Sequence, residues 1–71
     1  MKYYFTISIS SQDFLPYYQG HVESIITTTV TGIKVQFPAM HLRQFVTTEG
    51  IRGFFCLETQ NNKFLSLIKI S

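Results

Sequence analysis

A chain of 71 residues has room for one domain built on a single small core. Hydrophobic residues make up 45% and charged ones 14%, and the net charge of +2 is spread along the chain, which argues against the basic stripe of a dedicated nucleic-acid binder. The lone Cys56 excludes an internal disulfide, and no apolar run approaches the ~20 residues that a membrane helix needs.

At this size a core rarely supplies more than roughly 3–5 kcal/mol, so tight packing and oligomerisation are the staples that remain. The opening alternation fits a strand and not a signal peptide. The expectation is a single domain over residues 1–71, soluble and cytoplasmic, with no membrane association.

Lys2 to Ile9 alternates, with Tyr3, Phe5, Ile7 and Ile9 on one face, as in a half-buried strand. In SSQDFLPYYQG two N-terminal caps compete. Ser10 and Asp13 fit a capping box with Ile9 and Phe14 as its staple, but Pro16 would then interrupt the helix. Asp13 as cap places Pro16 in the first turn, where its missing N–H costs nothing. The expected helix therefore starts at Asp13, ends at Gly20 and turns Phe14, Tyr17 and Tyr18 to one side.

HVESIITTTVTGIKVQF reads as a hairpin with Thr31-Gly32 as its turn. That turn puts Val22, Ile26 and Val30 on the inner face, opposite Ile33, Val35 and Phe37, and leaves Ile25 on the other side. Pro38 ends the return strand. In AMHLRQFVTTEG the spacing of Ala39, Leu42, Phe45 and Val46 predicts a second short helix closed by Gly50. The tail IRGFFCLETQNNKFLSLIKI is a second hairpin, turning at Gln60 to Lys63 through two asparagines that tolerate positive φ.

The order β-α-β-β-α-β-β predicts an α+β fold. Its core element is a five-stranded antiparallel sheet, strongly curled or closed into a small open barrel, with two short helices. Both tail strands are apolar on two faces: Phe64, Ile68 and Ile70 oppose Leu65 and Leu67, and Phe55 and Leu57 oppose Phe54 and Cys56. One explanation is a strand buried on both sides. The other is an interface, since contiguous exposed apolar patches mark contact surfaces. The second reading predicts a homodimer through Ile25, Phe54, Leu65 and Leu67.

No catalytic constellation is visible. Cys56 fits a small core hydrophobe, His21 and His41 lack further ligands at metal spacing, and no two of Asp13, Glu23, Glu49 and Glu58 form a carboxylate pair. Gly50-Ile51-Arg52-Gly53 lacks a phosphate-loop signature and suits a tight turn with close backbone approach. His41, Arg43 and Arg52 are the candidates for an anion or a partner, because an arginine fork recognises phosphate or carboxylate. No cofactor and no metal is implied.

KYYFTISIS, FLPYYQG, FPAMHLRQF, GIRG and NNKFLSLIKI together make the chain resemble a small gammaproteobacterial family of uncharacterised proteins, a domain of unknown function of about 70 residues. The chain departs from that pattern at Thr31, where a charged or turn-forming residue is expected, and at Phe54, which is more apolar than expected. The resemblance implies a bacterial cytoplasmic protein and carries over no catalytic residue. The functional expectation is a non-enzymatic binding or adaptor domain that self-associates through an apolar sheet face. Binding to RNA or the ribosome through Arg43, Arg52 and surface tyrosines is the alternative.

Overall fold

Strand β1 (Lys2–Ile9) keeps its alternation, burying Phe5 and Ile7 while Tyr4, Thr6 and Ser8 face out. It pairs antiparallel with β4 (Ile51–Gln60), which in turn pairs with β5 (Lys63–Lys69), giving a three-stranded sheet in the order β1-β4-β5. The computed structural model describes all residues 1–71. Strands β2 (Ser24–Thr28) and β3 (Lys34–Pro38) form a separate two-stranded hairpin. Helix α1 (Ser11–Tyr18) follows β1, and a 3₁₀ helix (Ala39–Phe45) follows β3.

The element order is the one expected, but the single curled five-stranded sheet or barrel is corrected to two open sheets of three and two strands. The reason lies at the free edge of β1. The hairpin meets that edge through one hydrogen bond, Val30 N–H to the Tyr4 carbonyl at 2.9 Å, and not through a ladder. It therefore lies across the sheet instead of extending it. Phe5 is the joint, stacked on Phe55 within its own sheet and on Phe37 from the hairpin, with ring centroids 6.2 and 5.7 Å away. Leu42, Ile51 and Phe14 close the core around it.

Loop length decides which face of the hairpin is inside. A two-residue turn at Thr31-Gly32 would pair Ile26 with Phe37. The observed loop has three residues, Val30 to Gly32, closed by Thr29 N–H to Ile33 O (2.8 Å) and Gly32 N–H to Thr29 O (2.9 Å), with Gly32 at φ 87°. Such a loop, with glycine in the left-handed position, is a standard alternative. It moves the pairing by one residue, so Phe37 faces Ile25, and a one-residue slip exchanges the faces of the whole strand. Ile25 is therefore buried, whereas Ile26 and Val30 are 63% and 67% exposed. Buried Thr29 satisfies its hydroxyl by accepting the Ile33 N–H at 3.1 Å.

A bulge does the same to β5. Glu58 pairs with Ser66 and Thr59 with Phe64, leaving Leu65 without a partner. The extra residue lets Phe64 and Leu67 both face the core, although plain alternation separates them.

Helix α1 begins earlier than expected, at Ser11. Ser10, not Asp13, is the cap, its Oγ accepting the Asp13 N–H at 3.1 Å. Pro16 consequently lies inside the helix, where it has no N–H for the Gln12 carbonyl. Burial of Phe14 outweighs that loss, and Gly20 at φ 83° turns the chain away as expected. In the second helix Ala39, Leu42 and Phe45 recur every third residue, which stacks them on one side of a helix with three residues per turn; Ala39 and Leu42 are buried.

Candidate functional site

Both helices and the hairpin pack on the same side of the three-stranded sheet, against Phe5, Ile7, Ile51, Phe55 and Leu57. The opposite side has nothing on it. Side chains directly across an antiparallel pair share a face, so the registers define that outer side row by row. Ser8 stands beside Arg52, Thr6 beside Phe54, Tyr4 beside Cys56 and Ile68, and Lys2 beside Glu58 and Ser66.

The middle rows are apolar. Tyr4 stacks on Phe54 with centroids 6.1 Å apart. Their rings and Ile68 flank Cys56, which is free and buried although no other element covers it. Ile68 is 55% exposed and Ile70, just past the strand end, 48%. Opposite charges bracket this patch along β4, Arg52 at one end and Glu58 at the other.

Of the four residues expected in an interface, Phe54 lies on this face and is half-buried. Leu65 is exposed at the bulge on the β5 edge. Ile25 and Leu67 are in the core, placed there by the hairpin loop and by the bulge. Spacing alone misses Tyr4, Ile68 and Ile70 as members of the patch. Lys2 to Ile9 reads as a strand with a polar outer face, and the bulge inverts the alternation in β5.

His41, Arg43 and Arg52 do not converge. His41 lies flat on Phe64, with ring centroids 3.7 Å apart and 7° between planes. Arg43 turns the other way, its Nη2 donating to the Tyr18 carbonyl at 3.1 Å and its guanidinium 5.3 Å from the centre of the Tyr18 ring. That contact fastens the 3₁₀ helix to the end of α1. Arg52 stands on the outer side of the sheet beside Ser8.

A groove of about 530 Å³ runs between the end of α1 and the hairpin, with Tyr17, Phe37 and Met40 among its apolar walls and Glu23 and Arg43 as its charged groups. Cys56 belongs to the outer side of the sheet and His41 to the helix packed on the inner side. No group of three or more His, Cys, Asp and Glu side chains is arranged to hold a metal ion. No helix is long and apolar enough to cross a membrane.

No curated protein and no solved structure matches the chain. A family model described as "Protein of unknown function (DUF2835)" matches residues 1–70. The two-sheet fold, with its open apolar face, is thus carried by a chain that belongs to the DUF2835 family.

Proposed function

We propose that the protein is a non-enzymatic binding domain that self-associates through the outer side of its three-stranded sheet. The observation that carries this reading is the uncovered patch of exposed Tyr4, Ile68 and Ile70 with half-buried Phe54, set around buried Cys56, on a side of the sheet that the small chain leaves uncovered. His41 and Arg43 are already engaged, with Phe64 and Tyr18 respectively, and Cys56 sits on the far side of the sheet from His41. That dispersal supports binding over turnover.

The patch is modest. From strand spacing and rise, three strands over seven residues span roughly 14 by 23 Å, or some 300–400 Å² of each sheet. Standard interfaces bury about 800 Å² per partner, so the complex belongs to the weak class, with dissociation in the micromolar to millimolar range. Sedimentation equilibrium from about 10 µM to 1 mM tests the reading. Wild type is expected to show a monomer–dimer equilibrium. Ile68→Lys, which places a charge on an exposed position of the patch, is expected to weaken it at least about tenfold while leaving the circular dichroism unchanged. A monomer at every concentration would end this reading. If that monomer instead shifted single-stranded oligonucleotides at low salt, the stacked Tyr4–Phe54 pair and its neighbours Lys2 and Arg52 would be a nucleic-acid platform.

A further inference from the structure

We infer that the partner on this face is a second copy of the chain, set antiparallel about a two-fold axis so that Arg52 of each copy meets the partner's Glu58. This rests on the reading of the outer face as a self-association surface and specifies its geometry. Arg52, Phe54, Cys56 and Glu58 are the outward residues in succession along the central strand. The two charges are therefore about 20 Å apart at opposite ends of an apolar stretch. A copy laid parallel on this face would set Arg52 on Arg52 and Glu58 on Glu58. A two-fold axis across the strands at the level of Phe55 reverses the order. It places each Arg52 against the partner's Glu58 and each Phe54 against the partner's Cys56, and the same contact occurs twice, as an isologous interface requires.

The flanking strands agree with this arrangement. Lys2, which shares the Glu58 row, falls opposite the partner's Ser8, and Ile68 falls opposite the partner's Ile70. No like charges are opposed. Sheets packed face to face lie ~10 Å apart, a gap that an arginine and a glutamate bridge together. Both side chains are available for it. None of the side-chain hydrogen bonds within the chain uses Arg52 or Glu58, Arg52 is exposed and Glu58 is half-exposed. The arginine fork that suggests an anion site from sequence would thus find its carboxylate in another copy of the same chain.

The test is a charge exchange followed by sedimentation equilibrium. Arg52→Glu alone and Glu58→Arg alone are each expected to weaken the dimer about tenfold, because each change acts twice and turns attraction into repulsion. The double variant is expected to return to within about threefold of wild type. An equimolar mixture of the two single variants is the sharpest arm. Pairing one of each restores both contacts, so the mixture should associate as wild type does although neither component does so alone. That recovery is impossible for a variant that merely misfolds. If both single variants associate like wild type while Ile68→Lys does not, this geometry is overturned and the apolar face stands. If wild type itself stays monomeric to about 1 mM, the face reading fails first.

Discussion

At Gly50 the backbone passes so close to the end of β1 that no side chain fits. A Cβ there would fall on the Ile9 carbonyl oxygen and within 2.6 Å of the Ser10 carbonyl carbon, and the residue holds φ at 108°. Both neighbours are backbone, so neither can swing aside. Gly50→Ala is expected to cost about 3 kcal/mol or more, most of what a core of this size supplies. A thermal melt followed by circular dichroism should show a largely unfolded chain at 37 °C, and a wild-type transition would refute the account. This role was legible in the sequence, since two glycines around a strand start suit a close approach of backbone. So was the turn at Asn61 and Asn62, both of which hold positive φ. The engagements of His41 and Arg43 were not legible. Each depends on an aromatic residue, Phe64 or Tyr18, that only the assembled fold brings near.

Helices and hairpins show what spacing can and cannot specify. The existence and order of all seven elements follow from period, caps and turn residues, but the faces of two strands do not. A single extra residue in the first hairpin loop sends Ile25 in and Ile26 out, and one bulged residue at Leu65 sends both Phe64 and Leu67 in. Such one-residue effects leave almost no trace in composition, so of the four residues expected at an interface Phe54 lies on the outer face and Leu65 at the edge, while Ile25 and Leu67 are drawn inside. Helix α1 illustrates a local conflict won by packing. Ser10 caps it and Phe14 is buried, at the expense of a backbone bond at Pro16. Pro16→Ala returns a donor to the Gln12 carbonyl and is expected to stabilise the protein by about 1–3 kcal/mol, raising Tm by several degrees. A lower Tm would show that proline's restriction of the unfolded chain matters more here.

For the whole molecule, the decisive proportion is between a small sheet and the elements available to cover it. Two short helices and a hairpin are enough for one side only. Under the proposed self-association the uncovered side would link stability to association, because any complex that forms only from folded chains draws the equilibrium toward the native state. Tm is expected to rise by a few degrees between about 10 µM and 1 mM protein, and the rise should vanish in Ile68→Lys. A concentration-independent Tm in wild type would contradict this linkage.

The pairing of β1 with residues 51–58 also bears on how the chain acquires its shape. Strand β1 has to wait for a partner that follows it by some forty residues, and β4 cannot be replaced by the local hairpin that lies between them. Loop closure on that scale comes before any reward from sheet contacts and slows folding. Until β4 docks, Phe5 and Ile7 lack the neighbours that bury them, so an incompletely folded chain leaves open to unwanted contacts the same residues that later form its centre.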